Sequence, residues 1–198
     1  MVNNRLNRIG LFGGTFDPIH MGHLIVAEWI TDSLEIDKTI FIPNNIHPFR
    51  KRGDIEEAGH RLKMIELAIN PYPRFDVSDV EIRREGVSYT IDTLQHFISE
   101  YPDSGIYYVM GADNLKDFTS WKQPHEILKL VNLVVYNRAG TEIDESLDHE
   151  RMILIDSPYI DISSTHIRHR IAKGRAFRTL VPPGVYEYII DNKLYQNT

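Results

Sequence analysis

The chain has no cysteine, and that absence removes disulfide frameworks, thiolate nucleophiles and cysteine-ligated zinc together. Any metal would have to use oxygen or imidazole ligands. Long apolar runs are missing as well. The longest near the start, Leu24 to Ile30, is seven residues and includes Glu28, far short of the roughly 20 that cross a bilayer. Met1 to Arg5 leads into a strand-like segment without the apolar stretch and cleavage site of a secretory signal. The expectation is a cytoplasmic protein with no membrane role. Positive charge is in deficit: 22 Lys and Arg stand against 28 Asp and Glu, a net charge of −6. A nucleic-acid binder normally carries a basic face that releases counterions, so no nucleic-acid partner is expected. Two local clusters, Arg50-Lys51-Arg52 and Arg168-His169-Arg170, are of a size to hold a few phosphates of a small molecule.

What is present is an ordinary globular composition, 42% apolar and 25% charged over 198 residues, enough for one hydrophobic core and a single domain spanning 1–198. Short β-rich apolar runs alternate with longer stretches of helical period, as in β-α-β units around a parallel sheet. Core strands are read at Arg8 to Gly13, Thr39 to Pro43, Phe75 to Val77, Ile106 to Gly111 and Leu133 to Tyr136, with a short one at Met152 to Ile155. Residues 22–34, 58–69, 90–100 and 126–130 place apolar side chains three and four apart, which is the spacing of an amphipathic helix. Residues 162–198 read as a small helical C-terminal subdomain: a helix at Thr165 to Ala172, a turn at Gly174 and a closing helix after Pro182-Pro183-Gly184. Segments 44–55 and 139–147 have the length and polarity of lids beside a sheet's carboxyl edge.

The most informative stretch runs from Gly13-Gly14-Thr15-Phe16-Asp17-Pro18 to His20-Met21-Gly22-His23, after the first strand and into the first helix. Open α/β sheets bind ligands at that place. Two glycines let backbone N–H groups approach an anion with no Cβ in the way, and the helix start adds unpaired donors with partial positive charge. Neither a Walker loop nor a dinucleotide Gly-x-Gly-x-x-Gly is present. His20 and His23 lie three apart at the helix start and project to one side, where both can touch one polyphosphate. An isolated histidine pair reads as surface or capping residues. This one follows a glycine-rich strand-to-helix turn, and Gly22 between them reads as keeping the helix surface clear for a ligand.

These residues resemble the signature of the nucleotidylyltransferase superfamily, whose core element is Thr/Ser-x-Gly-His or His-x-Gly-His. The resemblance implies a Rossmann-like nucleotidyltransferase fold, with a mostly parallel central sheet and helices on both faces. It also implies that His20 and His23 bind the ATP phosphates and stabilise the transition state, with Gly13, Gly14, Thr15, Phe16 and Gly22 forming the ATP cradle. A second superfamily element appears at Ile162-Ser163-Ser164-Thr165-His166-Ile167-Arg168, similar to Ile-Ser-Ser-Thr-x-Ile-Arg. Its residues carry their own logic. Ser163 or Ser164 caps a helix whose N–H groups and hydroxyls, with Thr165, face an anion that Arg168 reaches one turn later.

Over nearly its full length the chain resembles nicotinate mononucleotide adenylyltransferases. Ser88-Tyr89-Thr90-Ile91-Asp92-Thr93-Leu94 is similar to that family's Ser-Tyr-Thr-x-Asp-Thr segment, which implies that Thr90 helps to bind the pyridine amide or carboxyl group. Gly111-Ala112-Asp113 resembles its Gly-Ala/Gly-Asp beside the adenosine, and Trp121 matches its tryptophan that stacks on the pyridine ring. Singly, Thr90 and Asp113 read as helix caps and Trp121 as core. The loop His47-Pro48-Phe49-Arg50 departs from the family's Pro-Pro-His-Lys/Arg, leaving Arg50 as a clamp for the acceptor phosphate. Lys122 stands where the family commonly has an aromatic residue, and could supply charge there instead.

The activity implied is transfer of AMP from ATP to nicotinate mononucleotide, giving nicotinate adenine dinucleotide (deamido-NAD) and pyrophosphate in NAD biosynthesis. Magnesium is expected to ride on ATP, with no protein metal ligands. The alternatives are a phosphopantetheine adenylyltransferase-like enzyme and a regulator that binds adenine nucleotides without turnover. The partners expected are the two small-molecule substrates; the oligomeric state stays open, a homo-oligomer included.

Overall fold

The computed structural model describes residues 6–46, 55–137 and 150–196. Its strands are β1 (Arg8–Gly14), β2 (Lys38–Pro43), β3 (Phe75–Val77), β4 (Gly105–Gly111), β5 (Asn132–Tyr136) and β6 (Met152–Ile155). They pair in parallel throughout, in the order β3-β2-β1-β4-β5-β6, which is the Rossmann strand order. Alternation along the strands sets up two cores, because successive residues of a strand face opposite sides of the sheet. Ile9, Leu11, Ile40, Ile42, Leu133 and Val135 face one side, and Phe12, Phe41, Val109 and Val134 the other.

Both faces are covered by helices. α1 (Met21–Ser33) and α2 (Ala58–Ile69) pack on the Phe12 side, while α4 (Thr90–Glu100) covers the Leu11 side behind the short α3 (Val80–Arg84). α5 (Ala112–Leu115), a 3-10 turn at Phe118–Ser120 and α6 (Pro124–Leu130) complete the Leu11 side. α7 (Ser164–Ala172) and α8 (Pro183–Asp191) put Ile167, Ile171, Val185 and Ile189 into the same core as Phe12 and Phe41. No helix among the described residues is long and apolar enough to cross a membrane.

Strand bounds agree with the sequence reading to within one residue. α3 and α5 were not expected, since five and four residues are too few for a 3.6-residue period to show. α6 starts at Pro124, two residues before the expected bound, because a proline suits the first turn of a helix, where its missing N–H costs nothing. The strand order reverses between β1 and β4. That leaves a crevice at their carboxyl ends, the place where such sheets take ligands.

Candidate active site

At the exit from β1 the backbone turns into α1 through His20, whose extended φ and ψ of −145° and 170° place it at the helix cap. Its backbone N–H donates to His23 Nδ1 at 3.2 Å. That bond fixes the His23 tautomer: with Nδ1 accepting, a neutral ring carries its proton on Nε2. The two imidazoles stack with centroids 3.7 Å apart and planes 21° apart, and Phe16 meets His23 edge-on at 5.0 Å. Phe16 is itself buried, with φ at +49°. A Cβ on Gly22 would come within 3.1 Å of His20 Nδ1. The glycine therefore makes room for the His20 ring.

Ser163 caps α7 by accepting from the His166 N–H at 3.2 Å. This helix start is fastened directly onto the first motif. Ser164 Oγ donates to Pro18 O at 2.9 Å, and Arg168 Nη1 to Asp17 O at 2.7 Å. The Asp17 carboxylate lies 3.6 Å from the same guanidinium and accepts from the Tyr195 hydroxyl at 2.8 Å. Burial, with the Asp17 charge adding, pushes the Tyr195 pKa well up, so that hydroxyl stays a donor.

Arg61 was missed in the sequence. Its side chain is fully buried and donates to three backbone carbonyls: Thr15 at 2.8 Å, Asn44 at 2.8 Å and Glu56 at 3.0 Å. It thereby ties the turn after β1 to the segment after β2. Burial lowers its pKa, opposed by the Asp17 charge. The signal was present, because Arg61 sits on the apolar stripe of α2 with Met64, Ile65 and Ala68, where an unmatched cation is costly.

At the far end of the crevice Thr90 opens α4. Tyr89 occupies the cap without a side-chain bond, so the Thr90 hydroxyl is not used in capping; it lies 3.5 Å from the Tyr108 hydroxyl. Trp121 stands edge-on to Tyr108, centroids 6.3 Å apart, and tilts against Phe118 at 5.5 Å. Glu81 is buried and accepts from Thr93 Oγ1 at 2.6 Å. Burial raises its pKa, with hydrogen bonds from Thr93 and Ser88 opposing. Lys122 Nζ pairs with Asp92 at 2.9 and 3.1 Å and lies 4.7 Å from the Tyr89 ring centroid, so its charge is already answered by α4.

A single cleft of about 780 Å³ joins both ends, well within the range of nucleotide-sized sites. Gly13, Gly14, Thr15, Phe16, His20, His23, Thr90, Gly111, Trp121, Ser163, Ser164, Thr165 and Arg168 all line it. Gly22 and Asp113 do not. Asp113 lies in the first turn of α5, and its Oδ1 would be 2.5 Å from a Cβ on Gly111, so the carboxylate folds back over the strand end. Arg50, with the loop His47-Pro48-Phe49, falls outside the described residues, as do residues 139–147. Asn44, Glu81, Ser88 and Tyr108 also line the cleft, unanticipated from sequence.

Residues 11–170 match the cytidylyltransferase-like family. Curated relatives named "Probable nicotinate-nucleotide adenylyltransferase" include those of Thermomicrobium roseum, 40% identical over 96% of this chain and 92% of the relative, and Caldicellulosiruptor bescii, 41% identical over 96% and 99%. The chain belongs to the nicotinate-nucleotide adenylyltransferase family. Among solved structures, the nicotinic acid mononucleotide adenylyltransferase of Plasmodium falciparum complexed with NaAD superposes with a TM-score of 0.83, at 24% identity, covering 97% of this chain and 98% of that one. At that identity the likeness speaks for the fold.

Within this family frame the two ends of the cleft differ in chemistry. The glycine turn, the imidazoles, the α7 hydroxyls and Arg168 present donors and positive charge, which suit phosphates. Among the described residues, no group of three or more His, Asp or Glu converges to hold a metal ion by itself. The Thr90 end offers an aromatic face and two hydroxyls, which suit a flat polar ring.

Proposed function

We propose that the chain transfers the AMP portion of ATP to nicotinate mononucleotide, forming nicotinate adenine dinucleotide and releasing pyrophosphate, a step of NAD biosynthesis. The carrying observation is that one cleft at the β1/β4 switch point holds the stacked His20–His23 pair and Arg168 together with Thr90 and Trp121. Relatives about 40% identical along nearly the whole chain bear the same activity in their names.

In this reading the 5′-phosphate of the acceptor attacks the α-phosphorus of ATP in line, and the bond to the β-phosphate oxygen breaks to release pyrophosphate. No covalent enzyme intermediate forms. The attacking phosphate is already ionised at neutral pH, so the protein supplies alignment and charge stabilisation instead of a general base. Gly13 to Thr15 and Ser163 to Thr165 hold the ATP phosphates, while His20, His23 and Arg168 meet the charge that develops. Arg50, Thr90 and Trp121 take the acceptor. Magnesium fits as an ion brought by ATP, because it keeps its waters and favours substrate phosphates over an all-protein cage; it neutralises phosphate charge. The setting is the cytoplasm.

The test supplies purified protein with ATP, magnesium and either nicotinate mononucleotide, nicotinamide mononucleotide or phosphopantetheine, and follows pyrophosphate. Release is expected fastest with the first, by at least about a hundredfold over the amide, the scale set by two charge-assisted bonds. Preference for phosphopantetheine, or tight ATP binding with no turnover, overturns the reading.

A further inference from the structure

Tyr108 brings a hydroxyl to a strand face whose other core side chains, Ile106 and Met110, are apolar. The residue is 8% exposed and lines the cleft. Among the described residues its hydroxyl has one hydrogen-bond contact, Thr90 Oγ1 at 3.5 Å, which is the long limit for such a bond. On its other side the hydroxyl lies against the first glycine of the phosphate turn: a Cβ on Gly13 would stand 2.8 Å from it. The ring is edge-on to Trp121. A buried hydroxyl with so weak a native partner is a liability unless something else bonds to it, and the open side here is the cleft.

We propose that the Tyr108 hydroxyl, paired with Thr90, binds the carboxylate on the acceptor's pyridine ring and sets the preference for the acid over the amide. This rests on the reading of Thr90 and Trp121 as the acceptor end. Two hydroxyls 3.5 Å apart are spaced to donate together to one carboxylate, either to its two oxygens or to one shared oxygen. Both bonds are then charge-assisted and about twice as strong as neutral ones. Against a carboxamide, one hydroxyl must turn and accept from the amide N–H, and both bonds are neutral. Burial, with the Glu81 charge adding, pushes the Tyr108 pKa up to about 12, so the hydroxyl keeps the proton it donates. Lys122 is the other source of discrimination at this end, but its ammonium is held by Asp92.

The test is Tyr108→Phe, which keeps the ring and removes only the hydroxyl. With nicotinate mononucleotide, kcat/KM should fall about 10- to 100-fold, carried by the acceptor KM, as for a lost hydrogen bond to a charged group. With nicotinamide mononucleotide the fall should be about tenfold smaller, narrowing the acid-to-amide ratio by that factor. The KM for ATP and the melting temperature should hold, since the native partner of the hydroxyl is distant. An unchanged acid-to-amide ratio overturns the proposal, as does an equal loss for ATP. A ratio that collapses in Lys122→Met but survives in Tyr108→Phe overturns it in favour of the charge. If the parent enzyme makes no dinucleotide from nicotinate mononucleotide, the functional reading itself fails, and this assignment with it.

Discussion

Arg168 and Asp17, 151 residues apart in sequence, meet in a 2.7 Å hydrogen bond from the guanidinium to the Asp17 carbonyl, with the carboxylate 3.6 Å away. Arg168 therefore shapes the turn after β1 as well as contributing charge to the cleft. The same guanidinium also reaches Thr165 Oγ1 at 3.4 Å, so among the described residues its hydrogen-bond partners belong to the glycine turn and the start of α7. An ammonium could reproduce the charge but not this planar fork.

Arg168→Lys should accordingly behave more like a deletion than a conservative change. We expect kcat/KM for ATP to fall about a hundredfold, with the acceptor KM changing little. Steady-state kinetics with each substrate varied in turn checks this. Recovery of near-normal ATP use by lysine would show that charge alone matters.

His23→Ala should lower turnover by roughly 10²- to 10³-fold, the usual loss for one preorganised donor aimed at developing charge. Both Michaelis constants should move less, because the interaction strengthens as the α-phosphorus becomes five-coordinate. The stability cost should be about 1 kcal/mol, that of a lost helix cap. Kinetics on the folded variant, with its melting temperature, separates the roles: near-normal turnover would leave His23 a capping residue only.

Arg61→Met should destabilise the fold by roughly 3 kcal/mol, about 1 for each of three carbonyls left without a donor. Arg61→Lys should recover little of it, since an ammonium cannot span the three acceptors. Urea midpoints report the loss if the slope is unchanged. A midpoint shift below a third of that size would mean that water replaces the guanidinium.

Glu81 gives the pH dependence a sign. Burial raises its pKa above the ordinary glutamate value of 4.5, so the folded protein holds this proton more tightly than the unfolded chain. The associated stability is fully present below about pH 4.5 and is lost as the pH rises through the raised folded value. Glu81→Gln removes that loss. Melting temperatures across pH 4 to 8 should show the parent falling relative to the glutamine variant as pH rises, and parallel curves would place Glu81 in a more solvated setting.

The legible parts of the molecule were those with local signals. Strand alternation in Ile9-Gly10-Leu11-Phe12 and the stripe of α4 reveal the layers, and the glycine turn with its two histidines reveals one end of the site. Directions that depend on tertiary packing stayed hidden. Gly22 makes space for the His20 ring, and the Asp113 carboxylate folds back onto Gly111; spacing along the chain shows neither. Tyr108 lies among apolar neighbours in sequence, and Arg61, although on the apolar stripe of α2, shows its carbonyl partners only once that helix is packed beneath the turn after β1.

The hydrogen bond from Tyr195 to Asp17, 178 residues back along the chain, bears on how the protein is made. Asp17 leaves the ribosome well before Tyr195. At about 5–20 residues per second, roughly 10 to 35 seconds of translation separate them. During that interval the nascent chain carries its glycine turn and histidine pair without the tyrosine that anchors the carboxylate, and for most of it without Arg168. A chain cut before Tyr195 therefore leaves the glycine turn with unfinished supports.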